Sequence, residues 1–239
     1  MITLNNVVAG YTAGVDILHG ISLAVAEAEI VTLLGPNGCG KSTLLKCIAG
    51  FLAPRQGTVE INGQETGKIP VHRKIRECAL GFVPQVDNVF NNLTIAENLQ
   101  TGGQFLPPAQ RRRRMAQLAD QYPMLRQKWN AQASALSGGE RQILALARSL
   151  MPNPSVLLLD EPSAGLSPKM LLEVFSAIQT IRRQEKVTIL MVEQNAIEAL
   201  HISDRAYILA LGKVAMSGKA SDLLADPHMR ELYFGGRAA

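Results

Sequence analysis

The sequence predicts an α/β domain with a mostly parallel central sheet, an antiparallel β layer and a helical subdomain. Three short apolar runs at 30–34, 156–159 and 187–192 have the length and composition of buried parallel strands. Amphipathic segments separate these runs, and such alternation is typical of α/β folds. Ligands of these folds bind at the carboxyl ends of the strands, so we expect functional residues directly after the three runs.

Composition indicates one globular domain that needs a partner for any work at a membrane. The chain has 239 residues, of which 47% are hydrophobic, enough for a sizeable core. We expect no membrane span, because every apolar run is shorter than about 18 residues. The first eight residues lack the pattern of an export signal, which predicts a cytoplasmic protein. The cysteines, Cys39, Cys47 and Cys78, fit neither a metal site nor a disulfide framework, so we expect reduced thiols.

Charge gives a second hint about partners. The net charge of +4 and the four consecutive arginines from Arg111 to Arg114 would suit nucleic acid or an anionic lipid surface. No pattern of stacking aromatic residues accompanies these arginines. We therefore interpret the run as a solvated helix face and expect no nucleic acid partner.

Several other segments have recognisable patterns. Ser167 and Pro168 predict a helix start, and the residues after them form one apolar helical face. That face consists of Leu171, Val174, Phe175, Ile178 and Ile181. The segments 58–61, before an Asn-Gly turn, and 206–216, folded about Gly212, predict antiparallel strands. Residues from about 87 to 135 lack strand patterns, which predicts a mainly helical insert.

The first chemical motif spans residues 35–42, Gly-Pro-Asn-Gly-Cys-Gly-Lys-Ser, between a predicted strand and a predicted helix at 43–51. Its glycines let backbone N–H groups surround a polyphosphate, and the helix N-terminus adds partial positive charge. We expect Lys41 to bridge the β- and γ-phosphates of ATP and the Ser42 hydroxyl to bind Mg²⁺. The motif predicts a P-loop NTPase with a RecA-like core. The predicted nucleotide-binding residues are Gly35, Pro36, Asn37, Gly38, Cys39, Gly40, Lys41, Ser42 and Thr43.

Two adjacent carboxylates end the run at 156–159. Neighbouring residues at a strand end point in different directions, so the two can have different roles. We expect Asp160 to hold Mg²⁺, and Glu161 to face the γ-phosphate and to orient or deprotonate the attacking water. Asp160 is therefore a predicted metal ligand, and Glu161 and Lys41 are predicted catalytic residues. For Cys39, we expect the loop to need only its backbone.

The segment 136–142, Leu-Ser-Gly-Gly-Glu-Arg-Gln, opens a predicted helix that continues to Leu150. It resembles the signature motif of the ABC ATPase family, which lies shortly before the strand with the two carboxylates. The resemblance covers residues 1–239 as one ABC-type ATP-binding domain with a helical subdomain at about 87–150. It implies that two subunits meet head to tail, so that Ser137 and Gly139 of one complete the γ-phosphate site of the other.

Weaker motifs extend the resemblance. Tyr11 matches the aromatic residue that stacks on adenine, and Gln85 matches the glutamine that contacts Mg²⁺ and relays its state to the helical subdomain. Gln194 stands where the family usually has a switch histidine. It can hydrogen-bond a phosphate oxygen but carries no charge, so more of the catalysis must depend on Glu161 and Lys41. Ser167 stands where the family has a loop aspartate, which puts the contacts of that side chain in doubt.

The segments 160–168 and 192–195 are similar to the ATPase subunits of bacterial branched-chain amino acid importers and of their urea and short-chain amide relatives. This resemblance implies an ATP-hydrolysing subunit that energises solute uptake through two transmembrane permease subunits, at the inner face of the cell membrane. It also implies an external solute-binding protein and a second ATPase subunit, identical or different.

Two alternatives stay open at this point. A non-transport ABC protein would act on nucleic acid or ribosomes, but such proteins usually carry two cassettes or a long coiled-coil insertion. An unrelated P-loop kinase or GTPase would lack the segment 136–142.

Overall fold

A sheet with packed layers on both faces forms the centre of the molecule. The computed structural model describes residues 1–227 and residue 229. The strands are β1 Ile2–Ala9, β2 Leu18–Val25, β3 Ile30–Leu34, β4 Gln56–Ile61, β5 Gln64–Glu65, β6 Leu80–Val83, β7 Val156–Asp160, β8 Thr188–Val192, β9 Arg205–Ala210 and β10 Lys213–Lys219. The α-helices are α1 Lys41–Ala49, α2 Val71–Glu77, α3 Ile95–Gly102, α4 Pro108–Gln121, α5 Pro123–Gln127, α6 Gly138–Leu150, α7 Pro168–Glu185, α8 Ala196–Ile202 and α9 Ala220–Ala225.

Strand order confirms the predicted fold class. Within the described residues the main sheet has the order β10-β9-β3-β8-β7-β6, and only β10 pairs antiparallel. A smaller antiparallel sheet has the order β2-β1-β4-β5. The antiparallel hairpin predicted at 206–216 belongs to the main sheet, because β9 pairs with β3 in parallel and carries β10 to the edge.

The strands β3, β7 and β8 are continuous apolar runs because both faces of the sheet are covered. Alternate residues pack into two cores. Leu33 and Leu158 pack with α1 and the antiparallel sheet on one face. Leu159 and Ile189 pack with α3, α6 and α7 on the other face. This double burial fixes the ends of the strands, where the site lies.

The segment between β6 and β7 contains α3 to α6. Two capping boxes start helices here: Thr94 with Glu97 begins α3, and Ser137 with Glu140 begins α6. These helices lie inside the range predicted as helical, although the boundaries of a subdomain at 87 and 150 stay a prediction. Over the part of the chain described, no helix combines the length and apolarity that crossing a bilayer requires.

Two expectations about helix starts and ends differ from the structure. The helix expected at 43–51 runs from Lys41 to Ala49 and ends at Gly50, whose φ is 91°. Ser167 precedes α7 as expected, and the predicted apolar face of α7 is buried, but the Ser167 side chain makes no capping hydrogen bond. The helix therefore starts mainly through Pro168 at its first position.

The prediction that the arginine run is a solvated face was wrong for one member. Arg112 and Arg113 are exposed, but Arg114 is buried. Its guanidinium donates to the carbonyl oxygen of Leu150 at 3.0 and 3.2 Å and pairs with Glu185. The last carbonyls of α6 lack partners within the helix, and Arg114 satisfies one of them.

Candidate nucleotide-binding site

The phosphate loop lies between β3 and α1, and its glycines are required by geometry. Gly35 has a φ of 144°, and a Cβ there would lie 2.2 Å from the carbonyl oxygen of Leu209. Gly40 has a φ of 107°, and its Cβ would lie 2.9 Å from Leu18 Cδ2. A side chain at either position would clash or strain the backbone. The loop therefore has one shape, fixed by packing against β9 and β2.

Lys41 is buried at the start of α1. Its Nζ donates to the carbonyl oxygen of Gly35 at 2.7 Å and to that of Pro36 at 3.1 Å. The predicted binding residues Gly35 to Thr43 are thus together in one loop, with an ammonium group that has three donors. This arrangement provides positive charge and backbone N–H groups at a helix start, where anions are favoured.

The side chain of Ser42, in α1, contacts that of Asp160, at the end of β7. Ser42 Oγ donates to Asp160 Oδ1 at 3.1 Å. Burial raises the pKa of Asp160, and the hydrogen bond from Ser42 opposes that rise. Hydroxyl and carboxylate oxygens are ligands that Mg²⁺ prefers, and it usually keeps several waters and phosphate oxygens besides. The pair therefore fits a magnesium ion that shares its other positions with a nucleotide.

Glu161 lies in a turn, and its carboxylate has different hydrogen-bond partners from the carboxylate of Asp160. Its φ is 49°, uncommon outside glycine, and its backbone N–H donates to the carbonyl oxygen of Val192 at 3.0 Å. Glu161 Oε2 accepts hydrogen bonds from Gln85 Nε2 and Gln194 Nε2, each at 2.7 Å. Three predicted site residues thus converge in one cavity of about 580 Å³.

The segment that follows Gln85 is tied to α6. Asn88 Nδ2 donates to Gln142 Oε1 at 2.7 Å, and the Arg148 guanidinium donates to the carbonyl oxygen of Asn88 at 2.8 Å. Arg148 also lies over the Phe90 ring, 4.4 Å from its centroid. These contacts join the segment after Gln85 to α6. Sequence reasoning missed these links, since Asn88 and Arg148 have no distinctive local pattern and the motif at 136–142 does not indicate a partner for Gln142.

Three predicted site residues lie outside the phosphate loop, in other segments of the chain. Tyr11 is 58% exposed in the connection between β1 and β2. Ser137 Oγ accepts from the Glu140 backbone at 3.3 Å, as the cap of α6, and Gly139 packs against Met170. The buried apolar residues of α6 belong to the core on one face of the main sheet, and those of α1 belong to the core on the other face. One chain therefore does not bring Ser137 and Gly139 to its own Lys41.

Sequence reasoning also missed a buried polar group at the wall of the cavity. Glu193 is only 1% exposed and accepts from Ser163 N at 2.9 Å, from Ser163 Oγ at 2.8 Å and from Gln194 N at 3.1 Å. Asn195 Nδ2 donates to Ser163 Oγ at 2.7 Å. Burial raises the pKa of Glu193. The only local signal is an acidic residue directly after a fully apolar strand.

Cys39 is buried in the phosphate loop. Burial raises the pKa of its thiol, and nearby Lys41 opposes that rise. A buried thiol with a raised pKa is a poor nucleophile, which agrees with a backbone role for this residue. Cys47 and Cys78 are also buried and free.

Comparison with known proteins places this geometry in a family. The family model described as ABC transporter matches residues 18–164. The high-affinity branched-chain amino acid transport ATP-binding protein BraG of Pseudomonas aeruginosa is 40% identical, over 96% of this chain and 97% of its own length. The probable branched-chain amino acid transport ATP-binding protein LivF of Archaeoglobus fulgidus is 41% identical, over 95% of each chain.

Solved structures agree with the sequence relatives. A dimeric ATP-binding cassette in a post-hydrolysis state with ADP and phosphate matches 92% of this chain and 99% of its own, with a TM-score of 0.80 and 27% identity. A nucleotide-free cassette from an ABC transporter, with 24% identity and a TM-score of 0.87, shares the fold over 98% of this chain. The kinase, GTPase and non-transport alternatives are therefore set aside. The chain belongs to the ABC transporter family and is an ATP-binding, ATP-hydrolysing subunit of such a transporter.

Proposed function

We propose that this subunit energises import of branched-chain amino acids or a related small polar solute. The observation that carries the proposal is the 40–41% identity to two branched-chain amino acid subunits across nearly the whole chain. The lipopolysaccharide export protein LptB of Haemophilus influenzae is less similar, with 32% identity over 98% of this chain. The segments 160–168 and 192–195 support the same assignment by resemblance.

Reconstitution tests the solute class. The subunit is co-expressed with its two permease subunits and a matching external solute-binding protein, and the complex is placed in liposomes. We expect leucine, isoleucine or valine, or else urea or a short-chain amide, to stimulate ATP hydrolysis and to accumulate inside. Stimulation by a lipopolysaccharide or by sulfate, with no response to the expected solutes, would contradict the proposal.

The proposed chemistry begins at Glu161. Both side-chain amides, those of Gln85 and Gln194, donate to Oε2, so Oε1 is left to accept a proton from the attacking water. Lys41, bonded to two carbonyl oxygens of its own loop, can turn its ammonium to the β- and γ-phosphates. Ser42 and Asp160, with the amide oxygen of Gln85, would hold Mg²⁺, which when bound neutralises phosphate charge.

A second ATPase subunit would complete the site. Ser137 and Gly139 start α6 away from Lys41, and a helix start with an exposed hydroxyl suits a phosphate of another chain. The dimeric cassette among the solved relatives supports this arrangement. Tyr11 would stack on adenine through its exposed ring. The second subunit is either another copy of this chain or a different ATPase subunit.

The permease subunits need a docking surface, and the groove between the sheet and the helical segment suits them. Phe82, Phe105 and Arg148 line this groove of about 180 Å³, and Phe105 is 56% exposed. Since Arg148 also holds the segment after Gln85, a permease helix seated here would sense the nucleotide state. The subunit would then lie at the inner face of the cell membrane.

A further inference from the structure

Glu193 closes a ring of contacts that contains the proposed catalytic carboxylate. Glu161 is joined to Gln194 by a side-chain hydrogen bond of 2.7 Å. The Gln194 backbone N–H donates to Glu193 Oε2 at 3.1 Å, and Ser163 donates to both Glu193 oxygens. Ser163 lies two residues after Glu161, so the chain itself completes the ring. Asn195 adds a cross-link to Ser163 at 2.7 Å.

We propose that Glu193 is a positioning residue for ATP hydrolysis, which locks the loop after β7 to the turn after β8 and thereby holds Gln194 against Glu161. This inference rests on the proposed roles of Glu161 and Gln194. Glu193 borders the cavity but is almost completely buried, and its carboxylate is held by hydrogen bonds from Ser163 and Gln194. We therefore assign it a positioning role and not a reacting one.

A carboxyl group suits this position better than an amide does. The hydrogen bonds that Glu193 accepts from Ser163 and Gln194 come from two backbone N–H groups and one hydroxyl, and a carboxylate offers acceptors on both oxygens. Glutamine has nearly the same volume, but its amide nitrogen would face donors. One ring contact would then be lost and a buried N–H would be left without its partner.

The ring has a direct consequence for Gln194. The side chains of Gln194 and Asn195 are exposed, so these hydrogen bonds help to fix where the turn after β8 places them. Fixing the backbone N–H of Gln194 and the side chain of Asn195 restricts the turn at two adjacent residues. The Gln194 amide is then already positioned against Glu161, so less conformational entropy is lost in each catalytic cycle.

A double-mutant cycle tests the proposal in the purified full-length subunit and in its permease complex. We expect Glu193→Gln to lower kcat about tenfold while KM for ATP changes less than about twofold, because the substitution acts on the position of Gln194 and not on ATP binding. In a Gln194→Ala background the same substitution should change kcat by less than about twofold, because Gln194 is no longer there to position.

Thr188→Val is the matched control. Thr188 lies at the other end of β8, is equally buried, and its hydroxyl oxygen accepts from Ala28 N at 3.1 Å. We expect this control to lower the unfolding temperature without changing kcat. If Glu193→Gln does not fold, Ser163→Ala replaces it in the cycle, because it removes one donor from the same ring.

The outcomes separate this proposal from the function on which it rests. If Glu161→Gln and Gln194→Ala slow turnover but Glu193→Gln does not, the positioning role alone is overturned. An equal loss from Glu193→Gln in both backgrounds also overturns it, because the effect would not pass through Gln194. Unchanged turnover in Glu161→Gln would instead refute the proposed catalytic carboxylate.

Discussion

At the scale of single residues, the proposed chemistry depends on the carboxylate of Glu161. Glu161 Oε2 accepts hydrogen bonds from two amides, which leaves Oε1 as the proposed acceptor of the proton from the attacking water. Residue identity and spacing predicted Lys41, Ser42, Asp160 and Glu161, because their motifs are local in sequence. Glu193 could not be predicted, since its partner Ser163 is 30 residues away and meets it only after β7 and β8 pair.

Replacing Glu161 by Gln should slow ATP turnover about 10²-fold or more while ATP binding persists, because an amide cannot accept the proton of the attacking water. Phosphate release and equilibrium nucleotide binding measure the two effects. Glu198→Gln is the control: this exposed carboxylate lines the same cavity and should leave turnover unchanged. Loss of binding in Glu161→Gln would contradict the proposed role.

Lys74 predicts a pH dependence of stability. It is fully buried, donates to the carbonyl oxygen of Ile48 at 2.6 Å, and has a pKa lowered by burial to about 8. Between pH 8 and the ordinary lysine pKa the unfolded chain binds more protons than the folded chain. The free energy of unfolding should therefore rise with pH across this window, by up to about 1.4 kcal/mol per pH unit.

Lys74→Met isolates this effect. Denaturant unfolding at pH 7.5, 8.5 and 9.5 should show that the wild-type protein gains stability relative to the variant as the pH rises. The comparison cancels most of the contribution of Cys47, whose pKa is raised by burial to about 11 and whose titration acts in the opposite direction. A constant difference between the two proteins would show that Lys74 stays charged.

At the scale of secondary structure, elements with strong local patterns were predictable and those set by tertiary contacts were not. The apolar strand runs and the apolar face of α7 could be predicted because each pattern is set by residues that are close in sequence. Burial of Arg114 was not predictable, because it depends on the end of α6 reaching α4. The hairpin of β9 and β10 around Gly212 belongs to the main sheet because β9 pairs with β3, which the local sequence does not indicate.

The start of α3 depends on one asparagine. Asn98 is fully buried; its Oδ1 accepts from Phe90 N at 2.8 Å, and its Nδ2 donates to the carbonyl oxygens of Phe90, Leu93 and Thr94. Asn98→Ala should lower the free energy of unfolding by about 2–4 kcal/mol, because it leaves these groups without partners. Urea denaturation measures the loss. The exposed Asn92→Ala should cost less than about 0.5 kcal/mol, and similar losses in both would contradict this account.

At the scale of the whole molecule, the separation of Lys41 from Ser137 predicts shared sites. Lys41→Ala and Ser137→Arg chains should each be nearly inactive alone. Mixed together, they should recover activity, with about a quarter of all sites intact if the chains pair at random in a two-fold dimer. Phosphate release from the purified mixture measures this. No recovery, with both variants folded by circular dichroism, would contradict the proposed dimer.

The fold class and the family were predictable because their motifs are continuous in sequence. The dimer was predicted only by resemblance, since no contact within one chain indicates it. The resemblance implied a connection from Gln85 to the helical subdomain. The residues that make it, Asn88 with Gln142 and Arg148, could be identified only in the structure.

The phosphate loop is already rigid, because Gly35 and Gly40 are packed and Lys41 is bonded within it. Calorimetry on a dilute single subunit should therefore find a heat-capacity change near zero on nucleotide binding, as expected for ligand uptake without folding. Two subunits that close on the same nucleotide would bury apolar surface, and the heat-capacity change should become clearly negative.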